Sequence, residues 1–261
     1  MHFEQIDRIE YEKNILFEVI FQARFPEIMK ISREEPADFQ DIIRKEGFPE
    51  TGSNFQNLPQ DMPEEFKKIL TFDKEFYFFS EEGDWQVSLT RNFIALSCKG
   101  NYLNYQDFRG RLKKFLEIFN KVYEPTYFSR IGLRYRNIVN EDILPLNEKS
   151  VKDCIPVYIF PELKQPIAED LKTLEKITQL DDGNIKANVT HTLTQVTGKF
   201  RQEQINNKKS YLIDIDCFSE NKIKGIDNAL AKCDEFKNNE WNIFQWSITD
   251  TLREAMGAKR N

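Results

Sequence analysis

Residues 126–140 read TYFSRIGLRYRNIVN, and the alternation inside this stretch is the first guide to the fold. In an extended chain successive side chains point to opposite faces. Tyr127, Ile131, Leu133, Tyr135 and Val139 then share one face, and Phe128, Arg130, Arg134, Arg136 and Ile138 the other. The stretch is expected to be a long strand with one apolar face and one face carrying three arginines. A guanidinium withdrawn from water must find partners or cost several kcal/mol. That second face is therefore paired internally, wet, or a binding surface.

Working outward toward the N-terminus, the preceding segment 104–123 has Phe108, Leu112, Phe115, Leu116 and Phe119 at helical spacing, and Pro125 stops it. Before it, three strands are expected as a meander over 75–80, 85–90 and 93–98, with a turn at Glu82-Gly83 and another near Arg91-Asn92. Trp85, Val87 and Leu89 alternate with Gln86, Ser88 and Thr90, so this part of the sheet has one wet face. Residues 50–70, with Gly52, Ser53, Asn54, Pro59 and Pro63, read as a loop. A helix opened at Ser32 or Glu35-Pro36 carries Phe39, Ile42 and Ile43 and ends by Gly47 and Pro49. At the start, 15–25 alternates cleanly: Ile15, Phe17, Val19, Phe21, Ala23 and Phe25 against Leu16, Glu18, Ile20, Gln22 and Arg24. The order β, α, three strands, α, β predicts an α+β unit over 1–140, an antiparallel sheet with helices on one face, related to the ferredoxin-like plan.

Toward the C-terminus, 141–187 changes character. It carries Pro145, Pro156, Pro161 and Pro166 and reads as a connecting segment with a short helix at 167–180. A second α+β part follows over 188–261. It has strands at 189–199 and 210–217 joined around Asn206-Asn207, then helices at about 222–236 and 239–256.

Composition narrows the function. The 261-residue chain has a formal net charge of −6, so binding of nucleic acid through the overall field is disfavoured unless charge is segregated. Cys98, Cys154, Cys217 and Cys233 form no CxxC and have no His beside them, which fits free thiols in a reducing cytoplasm and not a zinc site, a disulfide scaffold or a thiol nucleophile. The N-terminus lacks the apolar core of a secretory signal, and no stretch approaches the length that spans a bilayer. No GxGxxG, P-loop, HExxH or GxSxG is present, and no cofactor is expected.

Four segments, NILFEVIFQARF, ALSCKGNYLNYQDFRGRLKKFLEIF, YFSRIGLRYRNIV and WNIFQWSITDTLREAMG, resemble, in order and spacing over nearly the whole length, a family of sporadically distributed bacterial conserved hypothetical proteins. The last segment departs from the family pattern, in which a His often precedes the final Phe-containing helix; here Trp241 or Asn242 stands nearby. The resemblance implies a bacterial cytoplasmic protein. The family's patchy distribution implies an accessory gene, such as one travelling with mobile elements or phage-defence loci. It brings no activity, cofactor or catalytic residue.

Four sets of residues remain as candidates. If the first and last strands of the 1–140 unit are antiparallel neighbours, Glu18, Gln22 and Arg24 lie beside Arg130, Arg134 and Arg136. These six form an anion site for phosphate or nucleic-acid backbone, or a cross-strand ladder, or a subunit interface. Asp214 and Asp216 place two carboxylates on one strand face, suited to a divalent metal if a third ligand joins them, or to an ordinary solvated face. His191 reads as a hydrogen-bonded structural residue, since a base needs a positioned proton partner. Phe76, Tyr77, Phe78 and Phe79 are able to stack bases, or to be buried on both faces or beneath a partner chain. The expectation is a non-catalytic binding or interaction protein, homodimeric or bound to a partner protein, with nucleic-acid binding by the arginine face as the alternative.

Overall fold

The computed structural model describes residues 1–3, 6–55, 74–201 and 203–259. In chain order the elements are β1 (Glu10–Tyr11), β2 (Leu16–Arg24), α1 (Met29–Arg33), α2 (Ala37–Ile43), β3 (Glu50–Phe55), β4 (Lys74–Phe79), β5 (Trp85–Leu89), β6 (Phe93–Lys99), α3 (Tyr105–Tyr123), β7 (Arg130–Val139), β8 (Leu174–Asp181), β9 (Lys186–Phe200), β10 (Glu203–Ser219), α4 (Ile226–Trp246), α5 (Asp250–Ala255) and β11 (Ala258–Lys259). The fold is α+β. Among the described residues, nine strands form one antiparallel sheet in the order β3-β4-β5-β6-β2-β7-β10-β9-β8. β1 and β11 make a separate pair that ties the N-terminal segment to the C-terminus.

The arginine strand occupies the middle of this sheet. β7 pairs with β2 on one side and with β10 on the other, so residues from both ends of the chain meet on it. Its apolar face, with Ile131, Leu133 and Val139, lies in the main core, which extends through Phe21, Phe119, Tyr211, Ile215 and Phe236. The long helices cover that face. In α3, Phe108, Leu112, Phe115, Leu116 and Phe119 are buried, and such a side chain contributes about 1.5–3 kcal/mol when withdrawn from water. Phe108 stacks on Trp85, and Phe119 packs against Phe25 with its ring tilted. Asn104 caps α3 by accepting the Asp107 backbone N–H, and Glu124, in the left-handed region just before Pro125, closes it.

Several local expectations are corrected by the structure. Glu50–Phe55 is an edge strand on β4, not loop; pairing with an open sheet edge supplies its hydrogen bonds, although ETGSNF has no apolar alternation. Residues 56–70 of that expected loop lie outside the described residues. The helix read at 167–180 is a 3-10 turn, Pro166–Glu169, followed by strand β8. Leu174, Ile177 and Leu180 are spaced as on a helix face, yet the segment pairs with β9 over eight residues and is largely exposed as an edge strand. β9 and β10 run much longer than expected. Their turn lies at Arg201, and Asn206-Asn207 instead accommodates a bulge between Ile205 and Lys208, where Asn207 takes a positive φ. The last two helices divide at Ser247–Thr249, not near 237–239, because Ser247 and Thr249 bond outside the helix, to His191 and to the Asp153 carbonyl.

Two aromatics change faces. A register shift between Leu16 and Glu18 makes Phe17 the extra residue of a bulge. Leu16 therefore joins the helix-side core, and Phe17 packs on the opposite face beside Ile138, Phe200 and Ile205. Phe128, expected on the arginine face, precedes the regular strand. It bridges Ile223 and is buried in the main core.

Candidate functional site

The sheet face away from α3 and α4 brings together all of the charged residues singled out above. Cross-strand register sets Glu18 opposite Arg136 and Arg136 opposite Asp214; one step along, Ile20 faces Arg134 and Arg134 faces Asp216. The side chains then pair diagonally as well as directly. Arg136 Nη1 donates to Glu18 Oε2 at 2.6 Å, and its Nε lies 3.3 Å from Asp214 Oδ2. Arg134 grips Asp214 with two bonds, Nε to Oδ1 at 2.6 Å and Nη2 to Oδ2. Arg130 Nη2 donates to Asp216 Oδ2 at 2.8 Å and Nη1 to Gln22 Oε1 at 3.3 Å. Lys99 adds a longer contact to Glu18, 3.6 Å. Arg130 also lies over the Phe218 ring and Arg136 over Phe17, the geometry in which a ring face attracts a cation.

Each of the three β7 arginines thus has a carboxylate. Asp214 and Asp216 are engaged by guanidinium groups, and among the described residues no group of three or more His, Cys, Asp or Glu is placed to hold a metal ion. The hydrogen bonds that Arg134 donates to Asp214 raise its guanidinium above the ordinary value. Burial lifts the Asp216 carboxyl, against the pull of Arg130 and then Arg134. Arg24 stands exposed across from Arg130. At the end of the ladder nearest Arg136, a cleft of about 1020 Å³ opens, lined by Lys99, Lys199, Arg201, Asp84 and Glu203 among others, so its charges are mixed.

Gly132 is part of this geometry. It lies between Arg130 and the row of Arg134, and the Arg130 side chain passes over it to reach Asp216. A Cβ there would sit 2.9 Å from Arg130 Nη1, 3.2 Å from Asp216 Oδ1 and 3.3 Å from Phe218 Cβ. Gly132→Ala is expected to displace the Arg130–Asp216 pair and cost about 1–3 kcal/mol by denaturant unfolding, the range for overpacking a filled site. In an Arg130→Ala background the same substitution should cost less than half as much; equal costs in both backgrounds would show that the glycine does not serve this pair.

The remaining candidates are placed as follows. His191 is fully buried, with Nε2 2.9 Å from Ser247 Oγ and its ring stacked on Tyr211. Burial, and then Lys176, pulls it down to about 4. Cys98, Cys154, Cys217 and Cys233 are all buried and their thiols raised above the ordinary value, chiefly by burial. Phe76 and Phe78 belong to the core, whereas Tyr77 and Phe79 are half-buried on the opposite face with rings 6.1 Å apart.

A second polar cluster, on the helix side of the sheet, is not legible in the sequence. Glu240 stands in the polar run NNEWN, which reads as a solvated helix face, yet it is buried between α4 and the sheet. Its Oε1 accepts the Cys217 backbone N–H at 3.1 Å, and its Oε2 has no hydrogen-bond partner among the described residues. Near it Tyr102 and Tyr135 bring their hydroxyls within 3.2 Å. Among the described residues no helix is long and apolar enough to cross a membrane. No family model, curated protein or solved structure matches the chain.

Proposed function

We propose that this chain is a non-catalytic interaction protein of the bacterial cytoplasm, an accessory subunit in a system of the phage-defence kind, and that it acts as a homodimer through the bare face of its sheet. The observation that supports this reading is the ladder itself. Its charges alternate in sign across neighbouring strands, Glu18–Arg136–Asp214 and Arg134–Asp216. A second copy turned about a twofold axis is able to set each cation over a carboxylate, and twofold dimers are the commonest assemblies. Arginine is also enriched in such interfaces. The side chains with reactive potential, by contrast, are engaged with one another or buried in the core, which favours binding over catalysis.

Light scattering at micromolar concentration is expected to return twice the 31.0 kDa of one chain. Arg134→Glu, which sets like charges on the ladder, should return a single chain while leaving the far-UV circular dichroism unchanged. A wild-type mass of one chain overturns the reading.

A second reading, nucleic-acid binding, is favoured by one observation. The cluster holds Arg24, Lys99, Arg130, Arg134 and Arg136 against Glu18, Asp214 and Asp216, a local excess of positive charge in a chain of net charge −6. Absorbance at 260 nm that accompanies the purified protein and leaves it in high salt would support this reading.

A further inference from the structure

The polar cluster around Glu240 lines a cleft of about 600 Å³, within the range of small-ligand sites. The N-terminal strap closes one side of it. That strap is held by the β1–β11 pair, by Trp241 Nε1 donating to the Ile6 carbonyl at 3.0 Å, and by Tyr11 bonded to Gln245. The start of α3 and residues 237–244 of α4 form the other sides, and Tyr135, Asn137 and Ile215 form the floor.

The cleft is built differently at its two ends. Inside, Glu240 is 1% exposed and carries a buried oxygen with no hydrogen-bond partner among the described residues. Such an atom carries a desolvation penalty until it is given a partner. Burial, reinforced by Asp216 and Asp214 on the far side of the sheet, holds the Glu240 carboxyl well above its ordinary range. This shift favours the protonated form, in which a carboxyl offers an O–H donor beside a carbonyl acceptor. The paired hydroxyls of Tyr102 and Tyr135 lie against the same space.

At the mouth stand Arg8, Lys13 and Lys237, with Glu10 as the acid among them. Arg8 lies over Trp241 at 4.7 Å and Lys237 over Tyr105 at 5.4 Å. Among the described residues neither Arg8 nor Lys237 is in a salt bridge, and burial lowers the ammonium of Lys237 and the guanidinium of Arg8 from their ordinary values. A cationic ligand is disfavoured by these charges. The chemistry that fits both ends is a planar group with adjacent donor and acceptor atoms inside and an anion at the mouth.

We propose that this cleft binds a nucleoside monophosphate, its base against Glu240 and the Tyr102–Tyr135 pair and its phosphate between Arg8 and Lys237. The aromatic walls, Tyr102, Tyr105, Tyr135, Trp241 and Phe244, suit the flat face of a base. This site is on the opposite side of the sheet from the ladder, and it stands whether or not the chain dimerises.

Calorimetry of the full chain at pH 6 with AMP, GMP, CMP, UMP, the four nucleosides and orthophosphate tests the assignment. At least one monophosphate is expected to bind in roughly the micromolar range, its nucleoside about tenfold or more weakly, and orthophosphate without measurable heat. Lys237→Ala should bring the nucleotide down to the affinity of its nucleoside, and Glu240→Gln should weaken nucleotide and nucleoside alike, by about tenfold. Should Glu240→Gln fail to fold, the nucleotide-minus-nucleoside difference in Lys237→Ala decides alone. The proposal is overturned if no monophosphate binds at about millimolar concentration, if orthophosphate binds as tightly as the nucleotides, or if binding survives unchanged in Lys237→Ala.

Discussion

Glu240→Gln is expected to stabilise the protein above pH 6.5, by a margin that widens with pH. In the unfolded chain the Glu240 carboxyl ionises near its ordinary value of 4.5, whereas in the folded chain burial holds it protonated well above that. A group whose folded pKa is raised contributes its full share of stability below the unfolded value and loses it as pH climbs toward the folded one. The loss for one proton is about 1.4 kcal/mol per pH unit. Gln cannot ionise, and its side-chain oxygen can still accept the Cys217 N–H, so the variant escapes that slope. His191 has the opposite sign. Its folded value is pulled down to about 4 from an ordinary 6.5, so its contribution is present above 6.5 and is lost as pH falls from 6.5 toward 4, amounting to about 3 kcal/mol in the limit. Between pH 4.5 and 6.5 the two slopes oppose each other in the wild type, and above 6.5 that of Glu240 stands alone. Urea unfolding of wild type and Glu240→Gln from pH 5 to pH 9 separates them. Parallel profiles would mean that Glu240 is ionised in the folded protein.

The second large effect belongs to the ladder. Glu18→Ala should cost about 2–3 kcal/mol. The Glu18 carboxylate is only 6% exposed and receives Arg136 at 2.6 Å, and breaking one side of a buried pair typically costs about 3–5 kcal/mol. The loss stays below that range because the Arg136 side chain is 36% exposed and has Asp214 3.3 Å away as a second partner. Arg134→Ala should cost under about 1 kcal/mol, since that side chain is more open to water. In the double variant Glu18→Ala with Arg136→Ala, part of the Glu18→Ala loss should return, because no uncompensated guanidinium remains. Additive losses in the chevron-derived stabilities would show that the two residues do not act as a pair.

Local chemistry alone determined a good deal of this protein. The alternation within 130–139 and 85–89, the helical spacing of Phe108, Leu112, Phe115, Leu116 and Phe119, and the stop at Pro125 are short-range signals. They suffice for an antiparallel α+β fold and for three arginines on one strand face. The strand at 50–55 and the strand at 174–181 were hidden, because an edge strand draws its hydrogen bonds from a neighbour and needs no apolar pattern of its own. The bulge that turned Phe17 outward was hidden for a related reason: register is a property of two strands, not of one.

What the arginines touch was decided only in three dimensions. Glu18 and Arg136 are 118 residues apart in sequence and Arg134 and Asp214 are 80 apart, and nothing in either segment selects the other as a partner. The sheet order placed β7 between β2 and β10, and that order converted a possible anion-binding row and a possible metal pair into one another's counter-ions. The same holds for Glu240. Its sequence neighbours are polar, but α4 lies across β10, so the side chain is carried into the low-dielectric layer between helix and sheet, where burial raises a carboxyl above its ordinary value.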